Sequence, residues 1–182
     1  MPTVLVPLAQ GCEELEAVTI TDLLTRAGVK VITAGLDDQP VHASRGITFI
    51  ADVQISEVVN QSFDMIVLPG GQPGADHLRD NAVLQGLIKQ HAADNKYIAA
   101  ICAAPRALAH LGLLENRRAT SYPGALDAAT LKSTELKDTP IEMDGNIITS
   151  RGPGTAMDFA LQLIELLTDK DTRQQVEKGL AR

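Results

Sequence analysis

Tryptophan is missing from this 182-residue chain, and aromatic residues make up 3% of it, two tyrosines and three phenylalanines. The core therefore has to be aliphatic, built from Ala, Val, Leu and Ile. Cysteine is nearly missing too. Cys12 and Cys102 are too few for a disulfide scaffold, and without an export signal they read as thiols of a reducing compartment. Thr3 to Leu8 is too short for the apolar stretch of a secretory signal and lacks a basic flank. No apolar run approaches the roughly 20 residues of a membrane helix. A cytoplasmic location without membrane association is expected. Basic clusters are lacking as well, and the net charge is −7. An acidic chain has no long-range attraction for phosphate, so direct nucleic-acid binding is not expected. H-E-x-x-H, C-x-x-C, a Walker A loop and a proper G-x-G-x-x-G are all missing. Neither a metal nor a nucleotide cofactor is expected.

What is present is alternation. Short β-rich runs at Thr3 to Leu8, Lys30 to Ala34, Asp64 to Leu68 and Tyr97 to Ile101 are separated by helical patterns at Glu13 to Ala27, Asn81 to Ala93 and Pro105 to Leu111. Gly28 and Gly112 stand just past two of these helices, where a left-handed residue ends a helix. Shorter strands are expected at Ile47 to Ile50 and Arg118 to Ser121, and short helices at Asp52 to Asn60 and Ala125 to Leu131. Asp144-Gly145-Asn146 reads as the turn of a hairpin between Ile141 to Met143 and Ile147 to Ser150. Two helices close the chain. Thr155 to Thr168 has Met157, Phe159, Ala160, Leu163, Ile164 and Leu167 as its apolar side, and the other runs from about Lys170 to Leu180. Strands that are apolar throughout, alternating with helices, predict an α/β fold with a mainly parallel sheet covered on both faces. No repeat, low-complexity stretch or linker interrupts it, so residues 1–182 are read as one domain.

In such folds the site lies beyond the carboxyl ends of the strands. That rule points to three segments. In Ala99 to Pro105 an apolar strand runs straight into Cys102, and Pro105 suits the first turn of a helix. Ala100 and Ala104 supply the small residues that a strand-to-helix nucleophile elbow needs on either side. A sulfur there faces the positive end of the helix, which favours the thiolate. The other reading is a small cysteine packed under a helix. Leu68-Pro69-Gly70-Gly71 could turn backbone N–H groups toward an oxyanion, or be an ordinary turn. Glu13, Glu14 and Glu16 read as helix-start acids, unless one of them points back at the thiol. His42, His77, His91 and His110 fall outside these motifs and read as surface or satisfied helix residues.

Taken together, the motifs resemble the ThiJ/PfpI superfamily. They are Gly11-Cys12-Glu13-Glu14-Leu15-Glu16, Ala43-Ser44-Arg45-Gly46, Val67 to Gly71, Ala99 to Pro105 and Thr149 to Thr155, in that order along nearly the whole chain. The resemblance implies a flavodoxin-like three-layer sandwich and a homodimer. It implies that Cys102 is the reactive cysteine, with Glu16 as its protonated partner acid. It implies an anion site over the sulfur, made by the Gly70-Gly71 peptide and the Ala103 N–H. It further implies easy oxidation of the cysteine to a sulfinate. The activity it implies is on methylglyoxal-like 2-oxoaldehydes or early glycation adducts, or a redox-responsive chaperone role toward unfolded clients. Some relatives carry a His near the sulfur where this chain has Ser121-Tyr122-Pro123, which makes Tyr122 an accessory residue to examine. Ala103 stands where a protease-like branch has His, so peptidase activity is not expected. Arg45 and Arg151 read as structural or interface arginines, and Thr155 as a helix cap. Cys12 could act as a resolving thiol for Cys102, but two separate thiols are the favoured reading.

Overall fold

β1 (Thr3–Leu8) shows how the sequence builds the sheet in the computed structural model, which describes residues 1–182. Val4, Val6 and Leu8 join the core on one face, and Leu5 joins the core on the other. The same period of two divides Met65 and Val67 from Ile66 and Leu68, and Ala99 and Ile101 from Ile98 and Ala100. Strands buried on both sides have no polar face, which is why their sequences read as continuous apolar runs.

The chain order is β1, α1 (Glu14–Arg26), β2 (Lys30–Gly35), β3 (Val41–His42), β4 (Thr48–Phe49), β5 (Val53–Gln54), a 3₁₀ turn (Ile55–Val58) and β6 (Met65–Leu68). Then come α2 (Gly74–Asp80), α3 (Ala82–Ala93), β7 (Tyr97–Ile101), α4 (Pro105–His110), β8 (Arg118–Ala119) and β9 (Glu135–Leu136). β10 (Ile141–Asp144), β11 (Ile147–Ser150), α5 (Ala156–Leu167) and α6 (Lys170–Gly179) complete it. Seven strands form one sheet in the order β10-β11-β7-β6-β1-β2-β5. All neighbours are parallel except the β10–β11 hairpin. One core packs α1, α5 and α6 on one face, and the other packs α2, α3 and α4 on the opposite face. The expected three-layer α/β sandwich is therefore observed. Phe159 is fully buried at the centre of its layer, one of the few aromatics in an otherwise aliphatic interior. No helix is long and apolar enough to cross a membrane.

Several local expectations are corrected. Residues 52–60 are not one helix. Asp52 accepts hydrogen bonds from the Thr33 N–H (2.9 Å) and hydroxyl (2.8 Å), which aligns β5 with β2 and leaves a single 3₁₀ turn. Residues 125–131 are turns rather than a helix. The Asp127 carboxylate accepts from the Ala129 N–H at 2.9 Å, a local bond that competes with helical pairing. α2, β3 and β9 were not foreseen. Met157 is partly exposed, outside the buried stripe of α5. Thr155 occupies the N-cap of α5 without capping it. Its hydroxyl accepts from the Gly152 N–H at 3.1 Å and closes the preceding turn instead.

The strand order reverses at β1 and β6. From β1 the chain builds outward through β2 to β5, and from β6 it builds the other way through β7 to β11. A crevice opens beyond the carboxyl ends of the strands at such a point. The residues after β1, β6 and β7 are those singled out from sequence.

Candidate active site

Cys102 follows β7 in a left-handed conformation, with φ +63°. A side chain at positive φ is strained by roughly 1–2 kcal/mol, and the neighbours hold it there. The Cys102 N–H donates to the Ser150 carbonyl at 3.0 Å, and its own carbonyl accepts from the Tyr122 N–H at 2.8 Å. Ala100 and Ala104 are fully buried on either side, and Pro105 opens α4. This is the strand–turn–helix context of an elbow, and it presents the sulfur at the floor of a cleft of about 440 Å³.

Glu16 is fully buried on α1. The burial of Ala17, Ile20, Leu23 and Leu24 turns one stripe of α1 inward, and Glu16 falls on it. Its Oε2 accepts from the Gly70 N–H at 2.8 Å, and its Oε1 has no oxygen or nitrogen partner. A Cβ placed on Gly70 would stand 2.6 Å from Cys102 Cβ and 2.9 Å from Glu16 Oε2, so thiol and carboxyl crowd one glycine. Gly71, at φ +94°, is equally constrained, since a Cβ there would meet the Glu13 nitrogen at 2.3 Å.

The electrostatics of the pair follow from this enclosure. Burial pushes Glu16 up to about 7, against the opposing pull of the Gly70 N–H and the contact with Cys102. Burial, then the charge of Glu16, pushes the Cys102 thiol up to about 12, while the Gly71 and Ala103 N–H groups facing the sulfur pull it down. The helix-end lowering expected from sequence is thus outweighed. Two negative charges cannot share the enclosure, so the pair keeps one proton through neutral pH.

Of the residues expected over the sulfur, the Gly70-Gly71 peptide and Ala103 present N–H groups to it, whereas the N–H of Gly70 itself is spent on Glu16. Tyr122 lines the cleft, with its ring edge near Gly152. Cys12 is a free, fully buried thiol whose backbone packs against Gly71 and Gly74, and it is pushed up to about 11 by burial and then by Glu14. Glu14 holds the 44–47 loop by accepting from the Arg45 N–H at 2.8 Å. Arg45 lines the cleft, while Arg151 pairs with the exposed Asp138 at 2.9 Å. His42 and His77 each find one polar partner. His91 departs from expectation, being buried with its Nε2 unpartnered. Arg106 and Gln72, which sequence did not single out, also line the cleft. No group of three or more His, Cys, Asp or Glu side chains is arranged to hold a metal ion.

Comparison with known proteins identifies the family. The chain is 40% identical to the protein dj-1beta of Drosophila melanogaster over 177 residues, 97% of this chain and 95% of that one. It is 40% identical to DJ-1 homolog A of Arabidopsis thaliana over 98% of its length, but spans less than half (46%) of that longer relative. It is 33% identical to the glutathione-independent glyoxalase DJR-1.2 of Caenorhabditis elegans over 94% of this chain and 91% of that one. The solved structure of oxidized Toxoplasma gondii DJ-1 superposes with a TM-score of 0.92 at 40% identity, covering 100% of this chain and 98% of that one. The DJ-1/PfpI family model matches residues 2–166, and the chain belongs to the DJ-1/PfpI family.

Proposed function

We propose that the protein is a cysteine-dependent enzyme of carbonyl stress that converts methylglyoxal-like 2-oxoaldehydes, or their early glycation adducts, to hydroxy acids without a cofactor. The observation that carries this reading is Glu16 Oε1, a buried oxygen with no partner of its own beside the Cys102 thiol. Glu16 takes the thiol proton as the sulfur adds to the aldehyde carbon and passes it to the aldehyde oxygen, giving a hemithioacetal and freeing the carboxylate. The carboxylate then moves a proton from that carbon to the neighbouring one by way of the enediol, while the hydroxyl proton passes from the first oxygen to the second, leaving a thioester of the 2-hydroxy acid. Water cleaves the thioester, releasing the hydroxy acid and regenerating the thiol. The Gly71 and Ala103 N–H groups are placed to stabilise negative charge at the sulfur end of the cleft. The glyoxalase name of the nematode relative agrees with this chemistry.

A second reading is a redox-responsive protector, in which two peroxide molecules oxidise Cys102 through sulfenate to sulfinate and oxidation alters its handling of unfolded clients. The same N–H groups and a protonated Glu16 would hold the sulfinate oxygens, and the Toxoplasma relative is described in an oxidized form. A homodimer is part of the proposal. Leu15, Val18, Ile47, Ile50 and Met157 are exposed apolar side chains, and the Ile47 N–H reaches Glu14 on α1, which packs against α5. Light scattering at micromolar protein should give twice the chain mass, and a monomer would reject this part.

The deciding experiment measures lactate formed from methylglyoxal by the wild type, Cys102→Ala and Glu16→Gln. Many turnovers in the wild type, lost in both variants, support the enzyme reading. Stoichiometric trapping without lactate rejects it and leaves the redox reading, which then requires that peroxide add two oxygens to Cys102.

A further inference from the structure

Arg106 follows the elbow by four residues and ties together three segments of the cleft. Its Nε donates to the Ala125 carbonyl at 2.9 Å. Its Nη1 stands 3.3 Å from Asp76 Oδ1. The Gln72 amide is oriented by its neighbours. Its oxygen accepts from Arg106 Nη1 at 2.7 Å, and its nitrogen donates to Asp76 Oδ2 at 2.9 Å. A guanidinium is suited to this because its donors leave in different directions from one rigid plane, which an ammonium cannot reproduce.

The segment it reaches needs the anchor. From Ser121 to Lys132 the chain forms turns and, apart from the local bond from the Thr134 N–H to the Leu131 carbonyl, makes two hydrogen bonds to the rest of the protein. The Tyr122 N–H donates to the Cys102 carbonyl, and Arg106 donates to the Ala125 carbonyl. Leu126 adds a buried side chain. Tyr122 to Ala125 line the cleft with Cys102, and Gln72, next to Gly71, lines it as well.

We infer that Arg106 is a positioning residue that sets the size limit of the Cys102 cleft by holding the 122–125 wall against the elbow and the Gln72–Asp76 segment. The inference deepens the proposed function and, for its turnover arm, rests on it. With the wall held, the cleft admits a small 2-oxoaldehyde. A bulky carbonyl has to push the wall outward and break the bond to Ala125.

The test uses Arg106→Met, which keeps the aliphatic stem and removes the donors. Asp76→Asn, which loosens the same anchor from its other end, serves as the second variant should the first not fold. Turnover of methylglyoxal is compared with that of phenylglyoxal. In Arg106→Met the preference for methylglyoxal should fall about five-fold, the size of one hydrogen bond, through KM rather than kcat. A second readout needs no turnover. Alkylation of Cys102 by iodoacetamide and by pyrenylmaleimide is followed on the Cys102 peptide, and the relative rate of the bulky reagent should rise by a similar factor. Asp76→Asn should move both ratios the same way by less. Unchanged alkylation ratios in the folded variants overturn the inference, as does an equal slowing of both reagents. Absence of turnover in the wild type would count against the proposed function, while the alkylation ratio still decides the role of Arg106.

Discussion

Glu16 and His91 sit at opposite ends of the sheet and share an unusual property. Their Oε1 and Nε2 are the two buried side-chain polar atoms without a hydrogen-bond partner. Burial shifts both toward neutrality, Glu16 up to about 7 and His91 down to about 4. The difference lies in the neighbours. Beside Glu16 stand a thiol in a strained turn, two N–H groups aimed at the sulfur and an open cleft. His91, on the last turn of α3, has the backbone of Asp64 and the charges of Lys96, Asp94 and Asp64 around it, with no nucleophile. A buried polar atom without a partner is therefore a cost at either place. It becomes chemistry where a second group can exchange a proton with it.

The largest effect separating the two ends is expected from Glu16→Gln. Removing a general base costs about 10²–10⁴ in rate, so hydroxy-acid formation should fall by that factor. The same change should lower the pH at which Cys102 ionises, because the carboxylate charge opposing the thiolate is gone. Thiolate absorbance against pH measures this directly. A Cys102 titration that moves upward in Glu16→Gln would contradict the shared-proton account. In the wild type, kcat/KM should rise with pH through about 7, as the pair loses its second proton and Glu16 becomes able to accept one from sulfur. It should then stay level through the accessible alkaline range. A profile flat from pH 5 to 9 would remove Glu16 from that role.

Stability should move the opposite way at the same residue. Glu16 titrates higher in the folded protein than its ordinary 4.5, so the folded state favours the proton. That preference is complete below pH 4.5 and is lost as pH rises through about 7, after which the wild type carries a buried carboxylate. Glu16→Gln should therefore be more stable than wild type at pH 8, by at most about 3 kcal/mol, and should gain nothing at pH 4. Denaturant midpoints at the two pH values decide it. Catalysis lost and stability gained from one substitution would mark Glu16 as a group kept for its chemistry at the expense of the fold.

The elbow was legible in the sequence because its signals are local: an apolar strand, small residues around Cys102 and Pro105 just after it. Glu16 was harder to tell from Glu13 and Glu14, since all three suit a helix start. The signal that selects it is the stripe running through Ile20 and Leu24, four and eight residues on, which marks Glu16 as inward-facing. The family pattern named the same residue. The division of labour between the N–H groups of Gly70 and Gly71 depends on where α1 meets the loop after β6, which no local pattern encodes. Arg106 went unnoticed for a related reason. Its partners, Ala125 and Asp76, lie 19 and 30 residues away, and the first of them sits in a segment whose turns resembled a helix.

The smallest effect expected belongs to His91. Its folded value lies below the ordinary 6.5, so the folded state favours the neutral ring. The associated stability is complete above pH 6.5 and is lost as pH falls toward 4. Burial is the main cause and Lys96 adds to it, while Asp94 and Asp64 oppose it more weakly. His91→Leu replaces the ring with an apolar side chain that has no proton to accept. Near pH 7 the variant should be close to wild type, or lower by about 1 kcal/mol for the lost polar contact. Toward pH 4.5 the wild type should lose stability relative to the variant, by at most about 2.7 kcal/mol. Turnover per folded molecule should not change, because His91 stands on the last turn of α3 and is not among the residues lining the Cys102 cleft. A fall in turnover without loss of fold would show that the two ends of the sheet are coupled, and would break the contrast between a buried group that serves chemistry and one that only burdens the fold.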